Sequence, residues 1–205
     1  MNEHPRIIVV AGYGRCGSTM VMQMLAAGGC PMTGEWPAYE VPESLELSAA
    51  WLAEHDGMAV KVLDPHKHPF PAGPDYRVIW LDRNSEQQAR SLAKFLGELV
   101  NLRLTDADVE KFRQSYRAER PKVMALFRDV GATVLPVRFE SILLSPKTAA
   151  AQLAGFVGGL DAAAMAQVVL PRSPECRPDL AVEMLQVRFS GPAVLEKFQA
   201  MGWDK

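Results

Sequence analysis

The densest chemistry in the chain lies in Gly12-Tyr-Gly-Arg-Cys-Gly-Ser-Thr19. Its spacing, G-x-x-x-x-G-x-T, is that of a loop that wraps a phosphate, with Ser18 where a lysine is usual. Glycines let a backbone wrap closely, and successive N–H groups at a helix N-terminus turn toward an anion. Arg15 adds positive charge within the loop, and Ser18 and Thr19 add hydroxyl donors. The bland alternative is a strand-to-helix turn that uses glycine only for sharpness. The missing lysine is the one that would contact β- and γ-phosphates, so ordinary ATP hydrolysis is disfavoured. Cys16 stands where a helix N-terminus favours a thiolate. No His or Asp is placed to assist it, so it reads as a small packing residue. Val78-Ile-Trp-Leu-Asp82 has the pattern of a strand ending in a magnesium-binding acid, which keeps a small-molecule kinase open.

The elements around these residues alternate strand and helix. Arg6 to Ala11 is a β-branched run, as expected of a strand buried on both faces. Gly12 to Gly17 is the turn, and Ser18 to Ala27 is a helix with Met20, Met22 and Met24 in the core. A second helix is expected over Glu43 to Asp56, closed by Gly57. Strands follow at Met58 to Leu63 and Tyr76 to Asp82, separated by a loop rich in Pro, His and Gly. Ser85-x-x-Gln88 reads as a capping box opening a helix to about Val100. Thr105-x-x-Asp108 opens another, which Pro121 should kink or restart. Thr133 to Phe139 is a strand that Pro136 sends to an edge. Ser145-Pro146 caps a helix to about Phe156, and a last helix is expected over Pro192 to Met201. The pattern predicts one domain, 1–205: a three-layer α/β/α core with a mainly parallel sheet, P-loop NTPase-like, over 6–157, then a helical segment 158–205. Ligands in such sheets sit beyond the carboxyl ends of the strands.

With these elements in place, Gly14-Arg-Cys-Gly-Ser-Thr19 resembles the P-R-S-G-T-T loop of sulfotransferases that use 3′-phosphoadenosine 5′-phosphosulfate (PAPS). The family's second signature is a strand ending in Arg, with Ser eight positions later. Arg83 and Ser91 have that spacing. Val137-Arg-Phe-Glu-Ser-Ile-Leu-Leu-Ser-Pro146 resembles the family's R-Y-E-D-L-x-x-x-P stretch, whose acid is structural. The three pieces occur in the family's order across roughly residues 6 to 157. The family's C-terminal R-K-G-x-x-G clamp is absent, and Arg172 and Arg177 are the candidates to replace it.

The resemblance implies roles. Gly14, Arg15, Cys16, Gly17, Ser18 and Thr19 would bind the phosphosulfate end, and Arg83 and Ser91 the 3′-phosphate. Sulfuryl transfer asks for positioning and for positive charge on the bridging and equatorial oxygens, so no metal is required. Arg15 is one such charge. Lys61, placed at the end of its strand, is a second, where the family often has Lys. The acceptor must lose a proton. His66 and His68 lie beyond that strand, and an imidazole suits a general base near neutrality. In an extended chain the two would face the same side. Glu35, in Met32-Thr-Gly-Glu-Trp-Pro37, is the carboxylate candidate. Trp36 and Tyr39 would wall an acceptor site. Two histidines without a third ligand do not make a metal site.

Composition narrows the partners. The chain has 205 residues, 48% apolar and 22% charged, which excludes wholesale disorder. A formal charge of −2 without a basic run leaves no face for nucleic acid or anionic membrane. Three scattered cysteines suggest a reducing, cytoplasmic setting. No apolar run is long enough for a signal or a span. The expectation is a cytoplasmic PAPS-dependent sulfotransferase acting on a small-molecule acceptor. The alternatives are a P-loop small-molecule kinase and a non-catalytic nucleotide-binding or interaction protein of the same fold. The acceptor and the oligomeric state are not legible.

Overall fold

A computed structural model describes residues 5–41, 46–100, 104–170 and 173–174. Its centre is a parallel sheet of β1 (Arg6–Gly12), β2 (Ala59–Leu63), β3 (Asp75–Asp82) and β4 (Thr133–Arg138), in the order β2-β1-β3-β4. Around it lie α1 (Ser18–Ala27), α2 (Ala49–Glu54), α3 (Ser85–Val100), α4 (Asp106–Asp129), α5 (Phe139–Leu144), α6 (Pro146–Val157) and α7 (Ala162–Gln167).

Alternation along β1 sorts the core into two layers. Ile8 and Val10 face Met22, Leu25, Ile142, Leu153 and Met165, under α1, α5, α6 and α7. Ile7, Val9 and Ala11 face Leu52, Trp80, Val123 and Phe127, under α2 and α4. This is the three-layer α/β/α arrangement. Both faces being covered is why β1 reads as an unbroken apolar run. Met165 and Val169 belong to the α1 layer, so the packed unit continues past α6.

The order in which strands are added reverses at β1. The path from β1 goes first to β2 on one side and then to β3 on the other. In open parallel sheets that switch point, at the carboxyl ends of the strands, is where ligands bind. The Gly12–Thr19 loop leaves β1 there, and Arg83 leaves β3 beside it.

Several local expectations are corrected. The second helix is shorter: Glu46 to Ser48 are not helical, and Ser48 caps the helix by accepting from the Trp51 N–H. Residues 42–45 lie outside the described residues, as does the helix expected over Pro192 to Met201. At α3 the cap is Asn84 rather than Ser85. Asn84 Oδ1 accepts from the N–H groups of Glu86 and Gln87, both at 3.1 Å. Thr105 opens α4 as read, and it does so through a capping box with Asp108. Pro121 neither ends nor restarts α4, which runs through it. Arg117, whose carbonyl loses a donor to this proline, is exposed like Pro121 itself, so water can replace the lost bond. Phe139 begins α5 instead of ending β4. β4, with Pro136, lies at the edge of the described sheet, as the proline implied.

Candidate functional site

The loop after β1 is held from three directions. A side chain at Gly12 would place its Cβ 2.6 Å from Cys16 Sγ, so the turn closes only over glycine. The Cys16 N–H donates to the Tyr13 carbonyl at 3.2 Å. Gln88, buried on α3, donates through Nε2 to the carbonyls of Tyr13 and Gly14, at 3.1 and 3.0 Å. Arg15 and Gly17 take left-handed backbone, with φ of 67° and 96°. That conformation costs a non-glycine residue such as Arg15 roughly 1–2 kcal/mol. Gly17 caps α1 without a side-chain hydrogen bond, and the N-terminus of the helix, with its positive dipole end, faces the loop.

Three cations gather around this loop. Arg15 donates through Nε to Ser91 Oγ at 3.2 Å, and its guanidinium lies 5.0 Å from the Phe95 ring centroid. Arg83 donates to the Arg15 carbonyl at 2.9 Å and to the Pro174 carbonyl at 3.1 Å, with its guanidinium 4.4 Å from the Phe139 ring centroid. Lys61 donates to Thr19 Oγ1 at 3.0 Å and to Glu40 Oε1 at 2.9 Å. Lys61 does not stand at the end of β2 as expected. It pairs with Val10 in mid-strand and reaches up from the α1 face. It is 4% exposed, and burial lowers its pKa below the ordinary 10.5 although Glu40 pulls the other way. Cations, hydroxyls and a helix N-terminus make a donor set for a compact, multiply charged anion.

The fold resembles that of sulfotransferases. No protein-family model matches the sequence, and no curated protein matches it. Among solved structures, the sulfotransferase domain from the curacin biosynthetic pathway superposes with a TM-score of 0.55 at 14% identity, covering 87% of this chain and 82% of that one. Retinol dehydratase in complex with androsterone and the inactive cofactor PAP superposes at 0.53 with 17% identity, covering 82% of this chain. The same enzyme with retinol and PAP gives 0.53 at 14% identity. This chain spans 64% of the length of retinol dehydratase.

The remaining candidates fall in different places. Cys16 is fully buried, and burial pushes its thiol up to about 11, so at neutral pH it is an uncharged packing group. Asp82 has both carboxylate oxygens engaged. Oδ1 accepts from Trp80 Nε1 at 3.1 Å, and Oδ2 pairs with Arg120 at 2.8 Å. The acid that would serve a kinase is thus tied into the sheet and α4. Glu140 accepts from the Asn84 N–H at 2.7 Å and fixes the start of α3.

His66 and His68 do not alternate along an extended chain, because Pro65 to Lys67 form a 3-10 turn. His66 lies on the α4 side, with Nε2 3.6 Å from Glu119 and its ring edge-on to Tyr13. Tyr13 in turn stacks on Tyr116 at 5.1 Å. Burial and the nearby Glu119 raise the Tyr13 phenol, and burial raises that of Tyr116, so both stay protonated. Glu35 is exposed on the turn whose carbonyl accepts the Tyr39 N–H. The carboxylate brought to Lys61 is Glu40. Arg172 and Arg177 lie outside the described residues, although Pro174 between them meets Arg83. Among the described residues no group of three side chains could hold a metal, and no helix is long and apolar enough to cross a membrane.

Glu40 and Gln88 carried no readable signal. Glu40 is one of several acids in an unpatterned loop, with Glu35 and Glu43 close by in sequence. Gln88 imitates the last position of a capping box while its amide serves the phosphate loop.

Proposed function

We propose that this protein is a sulfotransferase that carries a sulfuryl group from PAPS to a hydroxyl or amine of a small-molecule acceptor. The observation that carries this reading is the meeting of Arg15, Arg83 and Ser91. Two stretches that the resemblance ties to opposite ends of one cofactor are linked here by hydrogen bonds of 2.9 and 3.2 Å. The presence of PAP in retinol dehydratase supports the same cofactor class.

The donor set fits such a molecule. Arg15, the hydroxyls of Ser18 and Thr19 and the first N–H groups of α1 would hold its phosphosulfate end. Arg83 and Ser91 would hold the 3′-phosphate. The bound PAPS supplies a sulfuryl group on a phosphate anhydride bond that is ready to be displaced. The chain supplies position and charge. Lys61, in a nearly dry setting, stabilises the negative charge that builds on the departing oxygen more strongly than an exposed lysine would. Glu40, 2.9 Å from Lys61 Nζ, is the carboxylate placed to take the proton that the acceptor loses.

The test is a thermal shift with adenosine 3′,5′-bisphosphate, without metal, against ATP with Mg²⁺. A ligand at a hundred times its Kd stabilises by about 2.7 kcal/mol, which a melting curve resolves. Stabilisation by the bisphosphate alone is expected. A response only to ATP with Mg²⁺ would point to a kinase. Silence toward both would leave a non-catalytic relative of the fold.

A further inference from the structure

Three consecutive carbonyls of the phosphate loop are gripped by one short stretch of chain. Gln88 Nε2 donates to the Tyr13 and Gly14 carbonyls at 3.1 and 3.0 Å. Arg83 donates to the Arg15 carbonyl at 2.9 Å. Ser91 Oγ accepts from Arg15 Nε at 3.2 Å. Gln88 and Ser91 stand i, i+3 on α3 and so share a helical face. Both are buried, Gln88 to 4% exposure. A glutamine in such a place loses its water, and hydrogen bonds must replace it. The two that its amide nitrogen makes both go to the loop. Their acceptors are carbonyl oxygens, so the nitrogen is the amide atom that faces them.

The direction of these carbonyls decides the direction of the next N–H groups. In a planar trans peptide the N–H points opposite to the C=O. Holding the Tyr13 and Gly14 carbonyls toward α3 therefore turns the Gly14 and Arg15 N–H groups away from it. The backbone handedness agrees. Arg15 and Gly17 are left-handed, and Gly14 and Cys16 are not. Such alternation gathers successive N–H groups around an anion. A carbonyl swung inward would instead set a partial negative charge against that anion. Arg15, at φ 67°, keeps its strained backbone only while its neighbours hold it there. Gln88 holds the carbonyls before it, and Arg83 holds its own.

We infer that Gln88 is a positioning residue for the 5′ end of the cofactor. Its amide holds the Tyr13 and Gly14 carbonyls outside the anion site, and the Gly14 and Arg15 N–H groups are thereby aimed at the 5′-phosphate. Gln88 acts through the loop, without touching the cofactor. It lies between Arg83 and Ser91 in sequence, yet it serves the end opposite to theirs. The inference rests on the sulfotransferase reading for the identity of the ligand, and on the loop geometry alone for which end of it responds.

Adenosine 5′-monophosphate, adenosine 3′-monophosphate and adenosine 3′,5′-bisphosphate are titrated calorimetrically into the full chain and into Gln88→Met. Methionine keeps the length and volume of the side chain and removes the donor. The variant should bind the 5′-monophosphate and the bisphosphate about tenfold more weakly, and the 3′-monophosphate within about twofold of the parent. A general loosening of the fold would weaken all three together. Equal losses for the two monophosphates, or no loss for the 5′-monophosphate, would overturn the proposal. Amide hydrogen exchange in the parent chain checks it without a variant. The 5′-monophosphate should slow exchange at Gly14 and Arg15 by at least about tenfold, and the 3′-monophosphate should not. Absence of that slowing, or binding of none of the three ligands, would also overturn it. A parent chain that binds the bisphosphate no tighter than the 5′-monophosphate, with the Gln88→Met loss intact, would remove the cofactor reading and leave Gln88 in its role.

Discussion

Arg83 rests its guanidinium on Phe139, 4.4 Å from the ring centroid. The same guanidinium donates to the Arg15 carbonyl and to the Pro174 carbonyl, so one planar group joins β3, the phosphate loop and the chain beyond α7. Lysine has the charge but not the fork. Arg83→Lys should therefore weaken adenosine 3′,5′-bisphosphate by about tenfold, the equivalent of one charge-assisted hydrogen bond. Phe139→Leu should cost only a few-fold, since a cation–π contact is worth roughly 0.5–2 kcal/mol. Isothermal titration of both variants decides it. An unchanged affinity in Arg83→Lys would show that the bisphosphate does not use this group.

Two glycines of one loop should behave differently. At Gly17 the backbone is left-handed, and an added Cβ would stand 2.5 Å from Phe139 Cδ2. Gly17→Ala should lose roughly 1–3 kcal/mol in denaturant unfolding, from backbone strain and overpacking together. At Gly14 an added Cβ meets only Leu92 Cδ1, at an ordinary 3.8 Å. Gly14→Ala should stay within about 0.5 kcal/mol of the parent. Equal losses at the two positions would contradict this packing.

What was legible in the sequence is what depends on local pattern. The β1 run, the glycine spacing and α1 could be read because each follows from backbone sterics and burial over a few residues. Arg83 and Ser91 were readable as a spacing. Glu40 was hidden, since its meaning comes from Lys61, which approaches from β2 on the other side of the loop. The histidines misled because alternation assumes extended chain, and Pro65 starts a 3-10 turn instead. Asn84 took the cap ascribed to Ser85, which left Gln88 to brace the loop carbonyls. A capping motif and a tertiary hydrogen bond use the same residue types, and only the fold separates them.

Lys61 sets a pH dependence whose sign follows from its burial. Burial lowers its pKa below 10.5, with Glu40 opposing. As pH rises through that lowered value, the cation is lost and anion binding weakens, at a lower pH than an ordinary lysine would show. Stability moves the other way. Between the lowered folded value and 10.5 the unfolded chain holds more protons, so the folded state gains stability as pH rises through that window. Glu40→Gln removes the opposing carboxylate and should move the binding transition to lower pH still. Bisphosphate titrations at a series of pH values below 10.5 measure it. A transition that Glu40→Gln does not move would disconnect Glu40 from the charge on Lys61.

The identity of the proton acceptor separates Glu40 from His66. Glu40 pairs with Lys61 on the α1 side of the sheet, whereas His66 lies on the α4 side against Tyr13 and Glu119. Glu40→Gln should lower turnover by about 10²- to 10⁴-fold, the usual share of a general base. Glu35→Gln, on the exposed turn, should leave turnover within about twofold, as most surface substitutions do. His66→Gln should cost less than about tenfold, because it removes a neighbour of Glu119 and not the group at the reacting end. Single-turnover rates with bound donor compare the three directly. A loss in His66→Gln that exceeded the loss in Glu40→Gln would move the proton acceptor to the α4 side.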